Sequence, residues 1–151
     1  MKDITFRRTN GSNPKFLELV TLLDASLAKT DGDLHDFYNQ FNGLENIKHV
    51  VVAYTENTPI ACGAMKAFEK ESAEVKRMFT IPTYRGKGIG SQILIQLELW
   101  AKELKYTSCV LETGKRQPDA IALYEKNGYQ KTQQYGQYVG MENSLCFKKL
   151  I

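Results

Sequence analysis

The apolar positions in the first third of the chain switch from the period of a strand to that of a helix. Ile4 and Phe6 alternate with polar neighbours, which predicts a short first strand. Asn13-Pro14 then predicts a helix start, because proline is favoured in the first turn of a helix. The apolar residues that recur at helical spacing after it are Phe16, Leu17, Val20, Leu23 and Leu27. Residues 31–41 could form a second short helix.

The middle of the chain predicts antiparallel strands followed by a helix. Residues 49–65 predict a hairpin, because two β-branched and apolar runs flank the turn residues 56–59. A turn at Lys70-Glu71 leads into a predicted strand over residues 72–80. After a segment rich in glycine, residues 88–105 predict a helix. Its apolar residues fall on one face, namely Ile89, Ile93, Leu97, Trp100 and Leu104.

The last third predicts a buried strand, a helix and two closing strands. The buried strand covers residues 108–113, and the helix opens at Gln117-Pro118 and stops at Asn127-Gly128. The segments YQKTQQY and SLCFKKL close the chain as strands. The passage from strand to helix to strand through residues 88–105 implies a parallel crossover. The predicted fold is a mixed α/β fold, β-α-α-β-β-β-α-β-α-β-β, with a mostly antiparallel sheet and helices on both faces.

Composition narrows the classes of protein to which the chain could belong. Its 151 residues suit one domain with a single core. A net charge of +3 without a Lys/Arg cluster is too weak to indicate nucleic acid. The three cysteines lie far apart in apolar stretches, and His35 and His49 lie at no ligand spacing from them, so we expect buried thiols and no metal. With no signal-like or membrane-spanning stretch, we expect a cytoplasmic protein with no membrane partner.

The segment YRGKGIG, residues 84–90, combines three glycines and two cations at a predicted strand-to-helix junction. The first N–H groups of a helix lack intrahelical partners, and the helix dipole adds positive charge there. Glycines let the backbone approach a ligand, so such a loop suits a phosphate or pyrophosphate. The spacing matches neither the P-loop nor the dinucleotide fingerprint. From the residues alone, a phosphate site and a plain turn remain equally good interpretations.

Two motifs in the expected order resemble the GNAT family of N-acetyltransferases. Residues 85–90, RGKGIG, resemble the family motif R/Q-x-x-G-x-G/A, which binds the pyrophosphate of acetyl-CoA. AEVKRMFTIPTYRGKGIG resembles the family's fourth strand running into that motif, and QPDAIALYEKNGY resembles its later helix motif. The resemblance covers most of the chain, but the first third fits by element order alone.

The resemblance implies a single N-acetyltransferase domain over residues 1–151 with the GNAT-like acyl-CoA N-acyltransferase fold. Acetyl-CoA would be the co-substrate, with no metal. The backbone of Met78, Phe79 and Thr80 would pair with the pantetheine arm, and a free N–H of the same strand would polarise the thioester carbonyl. The implied contacts to the pyrophosphate come from the loop and the helix start, at Arg85, Gly86, Lys87, Gly88, Ile89, Gly90 and Ser91.

Tyr124 occupies the position of the family's helix tyrosine, which implies a place beside the thiol and a role as general acid. A phenol is protonated at neutral pH and can donate a proton to the departing thiolate. The alternative is a packed helix tyrosine. Gln117 stands where many relatives have Asn, so its contact with pantetheine or with the helix start is a weaker expectation.

Glu74 is the candidate general base, since relatives often carry a glutamate at this place in the fourth strand. Strand alternation puts Glu74, Lys76 and Met78 on one face if no bulge intervenes. The alternative is a solvated glutamate paired with a neighbouring cation, in which case Glu112 or a water molecule would be the base.

The stretch YGQYVG, residues 135–140, is either a loop over the acceptor pocket or a plain connection. The leading hypothesis is an acetyl-CoA-dependent N-acetyltransferase that acts on a primary amine, in a small molecule or in a peptide. The alternative is a non-catalytic acyl-CoA-binding or sensing module on the same fold. A predicted edge strand near the C-terminus would allow a homodimer.

Overall fold

The computed structural model describes residues 3–31 and 47–151. The helices are α1 (Pro14–Asp31), α2 (Ile89–Glu103) and α3 (Pro118–Lys126). The strands are β1 (Ile4–Thr9), β2 (His49–Thr55), β3 (Thr58–Glu69), β4 (Ser72–Thr80), β5 (Ser108–Gly114), β6 (Gln130–Thr132) and β7 (Ser144–Leu150). The second helix suggested for residues 31–41 lies outside the described residues beyond Asp31.

The strands form one sheet in the order β1-β2-β3-β4-β5-β7-β6. Among the strands of the described residues, every pairing is antiparallel except β4 with β5, which is parallel, as the crossover through α2 requires. The predicted mixed, mostly antiparallel sheet is confirmed.

The two faces of the sheet are covered by different helices. On one face α1 buries Phe16, Leu19 and Val20 against β2 and β3. On the other face α2 buries Ile93 and Leu97 against the inward residues of β3, β4 and β5, and Tyr124 of α3 joins the same cluster. Asn13 caps α1, since its side-chain oxygen accepts the N–H groups of Lys15 at 2.9 Å and Phe16 at 3.1 Å.

The parallel strands β4 and β5 pair only at one end. Their register joins Ser72, Ala73 and Glu74 of β4 to Ser108, Cys109 and Val110 of β5. A hydrogen bond of 2.6 Å between the Ser72 and Ser108 hydroxyls lies at this closed end. Both strands continue past the paired segment, so the sheet opens between Glu74 and the carboxyl end of β4.

A bulge interrupts β4 shortly after the opening begins. Arg77 has a φ of +59°, and the register with β3 shifts between the pairs Cys62↔Phe79 and Ala64↔Lys76. Gly63 therefore lies opposite the bulge, where a Cβ would meet Met78 Sδ at 2.5 Å and Ile93 Cγ2 at 2.6 Å. The close approach of α2 and Met78 to this strand requires glycine.

Replacing Gly63 with alanine is expected to destabilise the fold by roughly 1–3 kcal/mol, because the added methyl overpacks the core under α2. Thermal or urea unfolding would measure the loss. Gly114→Ala is the control, since its Cβ would come no closer than 3.1 Å to another residue, at the side-chain nitrogen of Asn143. Equal unfolding midpoints for Gly63→Ala and the parent would show that Met78 and Ile93 move aside freely.

Two predicted elements are shorter in the structure than the sequence predicts. The strand predicted over YQKTQQY shrinks to Gln130–Thr132, because Tyr129 turns into the core and Gln134 bonds to the carbonyls of Met141 and Ser144. Leu104 lies beyond α2 and is 40% exposed, so the predicted helical face ends at Trp100.

Among residues 3–31 and 47–151, no helix is long and apolar enough to cross a membrane.

The predicted burial of the thiols is confirmed. Cys62, Cys109 and Cys146 are free and buried. Burial raises the pKa of Cys62 to about 12 and that of Cys109 to about 11. These two thiols therefore remain protonated and pack as small apolar side chains.

Candidate active site

The glycine loop presents unpaired backbone N–H groups to solvent at the start of α2. Gly86 and Gly88 have φ values of +78° and +81°, and a Cβ on either would meet no atom within 4 Å. Gly88 is the N-cap of α2 and offers no side-chain capping bond. The first N–H groups of the helix are therefore available to a ligand, and the space in front of them is open.

The two cations of the loop are held against aromatic rings at its rim. The Arg85 guanidinium lies 5.6 Å from the Phe79 ring centroid, and its Nε donates to the Thr80 carbonyl at 2.8 Å. Lys87 Nζ lies 5.2 Å from the centroid of Tyr84. Both side chains are exposed beside the helix start, where they add positive charge for an anion.

A cleft with a volume of about 120 Å³ lies where β4 and β5 separate. It extends from the opening of the sheet to the inner face of α1 and to the start of α3. Its lining residues come from α1, β4, β5, α3 and the segment after β6, and they are Leu23, Leu27, Glu74, Val75, Lys76, Arg77, Met78, Glu112, Thr113, Gly114, Gln117, Ala120, Tyr124 and Tyr138. The sequence candidates Glu74, Met78, Gln117 and Tyr124 therefore meet in one cleft.

Tyr124 lies in the wall of the cleft with little exposure. Its ring packs against Tyr129 and Phe147, with centroid distances of 6.0 Å and 6.4 Å. Burial raises the pKa of Tyr124, and the nearby charge of Glu112 raises it further. The phenol therefore remains protonated at neutral pH and is a hydrogen-bond donor in this position.

Glu74 is buried, with 3% exposure, so the solvated alternative is wrong. Its Oε2 accepts a hydrogen bond of 2.7 Å from the Tyr135 hydroxyl. Its Oε1 lies 3.7 Å from Lys76 Nζ, which is the cation pairing that the alternative anticipated. Burial lowers the pKa of Lys76, while the charge of Glu74 opposes that shift.

Strand alternation would have put Met78 on one face with Glu74 and Lys76 only in the absence of a bulge. The bulge at Arg77 breaks the alternation. Met78 turns to the α2 side of the sheet, where its Sδ approaches Gly63. Arg77 instead reaches α1, where it donates to Asp24 Oδ1 at 2.7 Å. Glu74 therefore shares its face with Lys76 and Arg77, but not with Met78.

Glu112 and Gln117 line the same cleft. Glu112 is half-buried on β5 and faces the same opening as Glu74. Gln117 is the N-cap residue of α3 but makes no side-chain capping bond. Ser91, in the first turn of α2, accepts a hydrogen bond of 3.0 Å from Asn127. Asn127 is the C-cap of α3, so this bond links the start of α2 to the end of α3.

Among the residues of the site that were not predicted from the sequence, four carry a cation or a phenol. Lys76, Arg77 and Tyr138 line the cleft, and Tyr135 binds Glu74. Both tyrosines lie in the YGQYVG segment, for which the sequence left two interpretations. Their placement favours a loop over the pocket rather than a plain connection. The bulge that redirects Arg77 leaves no sequence signal, because arginine carries no preference for positive φ.

Comparisons with known proteins agree with this geometry. A sequence profile of the acetyltransferase (GNAT) domain matches residues 46–131. The IAA acetyltransferase of Azospirillum brasilense is 33% identical over 99% of both chains. The chain belongs to the GNAT family of acetyltransferases. It is therefore an N-acetyltransferase, and the predicted family is confirmed.

Solved GNAT structures share the fold along almost the whole chain. A Klebsiella pneumoniae protein described as an acyl-CoA N-acyltransferase superposes with a TM-score of 0.82, at 26% identity and 97% coverage of both chains. The PaiA N-acetyltransferase of Thermoplasma acidophilum, solved in complex with coenzyme A, superposes with a TM-score of 0.76 at 17% identity, with 99% coverage of both chains. The predicted GNAT-like fold is confirmed.

Proposed function

We propose that this GNAT protein transfers the acetyl group of acetyl-CoA to a primary amine of a small molecule by direct attack on the thioester. The observation that carries the proposal is the cleft at the β4–β5 opening. It brings a buried glutamate of β4, the strand that leads into the glycine loop, together with a buried tyrosine of α3. We propose further that residues 1–151 form one catalytic domain.

The glycine loop and the opened strand would hold acetyl-CoA. Pyrophosphate would accept the N–H groups at the start of α2, with Arg85 and Lys87 beside it. The pantetheine arm would run along the edge of β4 at Met78, Phe79 and Thr80, past the end of its pairing with β5. An N–H of that edge would donate to the thioester carbonyl and stabilise the negative charge that develops on its oxygen.

Glu74 would take up the proton of the amine, and Tyr124 would stabilise the departing thiolate. Glu74 would take the proton from the attacking amine, either directly or through a water molecule. Tyr124 would donate a hydrogen bond to the departing sulfur. The pKa of an ordinary thiol is about 8.5. Because the pKa of Tyr124 is raised by burial, donating a hydrogen bond to the thiolate costs less than losing the proton to it.

The first experiment measures release of free CoA thiol from acetyl-CoA with a panel of amines, amino acids, polyamines, short peptides and IAA, beside calorimetry with CoA. Turnover confined to small primary amines supports the proposal. Turnover with peptides alone would replace the acceptor class. CoA binding without release from any acceptor would favour the non-catalytic sensing module, and absence of CoA binding would refute the cofactor site.

Tyr124→Phe is expected to lower kcat by about 10²-fold while the dissociation constant for CoA changes little, because the variant loses the donor to the leaving thiolate and keeps the packed ring. Steady-state kinetics and calorimetry on the same preparation would separate the two effects. A kcat equal to that of the parent would make Tyr124 a packing residue of α3.

A further inference from the structure

A partly buried tyrosine contacts Glu74 from the loop between β6 and β7. We propose that Tyr135 is a positioning residue for Glu74, and that the loop which carries Tyr135 holds this carboxylate in the orientation that the base requires. This inference rests on the proposed role of Glu74. It adds Tyr135 and its loop to the machinery of the reaction.

The hydrogen bond from Tyr135 fixes one of the two oxygens of Glu74. The hydroxyl donates to Oε2 at 2.7 Å, a short distance typical of a bond to a charged acceptor. The second oxygen, Oε1, lies on the Lys76 side at 3.7 Å. A carboxylate held through one oxygen has a defined rotamer, so the other oxygen can be directed at a substrate.

Tyr135 is itself fixed by aromatic contacts. Its ring centroid lies 4.6 Å from that of Phe68 and 5.7 Å from that of Tyr138, to which it is perpendicular. Burial raises the pKa of Tyr135, and the charge of Glu74 raises it further. The hydroxyl is therefore protonated wherever Glu74 is ionised, and it acts only as a donor to the carboxylate.

The loop between β6 and β7 is built to hold this tyrosine. Gln134, beside it, donates to the carbonyls of Met141 and Ser144 and accepts the Gly140 N–H at 2.9 Å. Gly136 and Gly140 have positive φ values of 52° and 84°, which lets the chain turn tightly between the tyrosines. One glutamine side chain thus ties both ends of the loop, and the loop delivers Tyr135 to Glu74.

Groups of both charge signs and two tyrosines surround Glu74. The described titratable and charged groups that face it from β3, β4, β5, β7 and the loop are Lys66, Lys76, Arg77, Glu112, Cys146, Tyr135 and Tyr138. Within this set, the Tyr135 hydroxyl donates a hydrogen bond of 2.7 Å to the carboxylate.

The test replaces the hydroxyl and keeps the ring. In Tyr135→Phe the carboxylate loses a donor to its ionised form, so it takes up a proton at higher pH. The acidic limb of the kcat–pH profile is expected to move upward by about one pH unit. CoA affinity should stay within about twofold of the parent.

The chain offers a matched control on the opposite face of the sheet. There the Tyr129 hydroxyl donates to Glu98 Oε2 at 3.0 Å, and Lys149 Nζ lies 2.8 Å from Glu98 Oε1. Tyr129→Phe removes a tyrosine–glutamate hydrogen bond of the same chemistry outside the cleft. We expect it to lower the unfolding midpoint about as much as Tyr135→Phe while the pH profile stays in place.

Two further measurements make the outcome decisive. In a Glu74→Gln background, Tyr135→Phe should cause no further change in the pH profile. The carboxyl signal of Glu74 in ¹³C-glutamate-labelled protein, assigned by its loss in Glu74→Gln, should titrate at higher pH in Tyr135→Phe than in the parent. This signal reports on the hydrogen bond without any acceptor, so failure of the proposed acetyl transfer would not hide it.

The outcomes separate the inference from the function on which it rests. A titration shift together with a moved acidic limb supports the positioning role. Unmoved titration and profile would overturn it, and so would a loss of activity matched by Tyr129→Phe, which would show a structural role. A titration shift in a protein that acetylates no amine would refute the proposed function and, with it, the role of Tyr135 in catalysis.

Discussion

Gly88→Asp is expected to abolish CoA binding, with a loss of affinity of at least about 100-fold, or roughly 3 kcal/mol. The aspartate places a negative charge at the N-cap of α2, where the pyrophosphate would lie, and two like charges a few ångströms apart repel by several kcal/mol at a protein surface. The side chain also enters the open space in front of the free N–H groups. Calorimetric titration with CoA measures the loss.

The control for this variant separates charge from backbone strain. Gly88 has a φ of +81°, which any other residue adopts at a cost, although asparagine tolerates it better than most. Gly88→Asn has the size of the aspartate without its charge, so it should keep much more of the affinity. If Gly88→Asp still bound CoA like the parent, the assignment of the loop to pyrophosphate would be wrong.

Glu74→Gln is expected to lower kcat by about 10²–10³-fold and to remove the acidic limb of the kcat–pH profile. A general base must be ionised, so the rate of the parent falls as the pH drops and the carboxylate takes up a proton. The amide of glutamine fills the same space beside Tyr135 but cannot accept the proton of the amine. Measuring kcat at saturating acceptor keeps the protonation of free amine out of the profile.

Two other glutamate variants test whether the loss of the acidic limb is specific to Glu74. Glu98 is a buried glutamate with its own tyrosine and lysine partners, but it lies on the opposite face of the sheet, so Glu98→Gln should retain the acidic limb. Glu112→Gln tests the second carboxylate of the cleft. A limb that survives in Glu74→Gln and disappears in Glu112→Gln would pass the role of base to Glu112, and a limb that survives in both would leave it to water.

Much of the fold could be predicted because it follows from local rules. The start of α1 at Asn13-Pro14 is predictable because the Asn13 side chain caps the first turn of the helix. The bounds of β4 match those predicted from its apolar pattern and flanking turn. The parallel pairing of β4 with β5 was predictable because a strand–helix–strand passage leaves few other arrangements. The glycine loop was visible for the same reason, since its function depends on backbone groups that the glycines expose.

The prediction of β6 failed where side chains compete with the strand ladder. Alternation in YQKTQQY is compatible with a long strand, yet Tyr129 is buried beside Glu98 and Gln134 bonds to backbone carbonyls. Glu98 lies 31 residues before Tyr129, and the carbonyls that Gln134 binds lie 7 and 10 residues after it, so strand alternation indicates neither contact. As a consequence β6 is short, and the loop between β6 and β7 carries Tyr135 and Tyr138.

The sequence by itself determined the family, the order of strands and helices, and the positions of Glu74, Tyr124 and the glycine loop, because each depends on residues that are near one another in the chain. The tertiary structure decided what surrounds them. The opening between β4 and β5, the bulge that sends Arg77 to Asp24, and the bond from Tyr135 to Glu74 join segments that lie between 36 and 61 residues apart. Such contacts form only when the sheet assembles, because burial and strand register, rather than local propensity, bring their partners together.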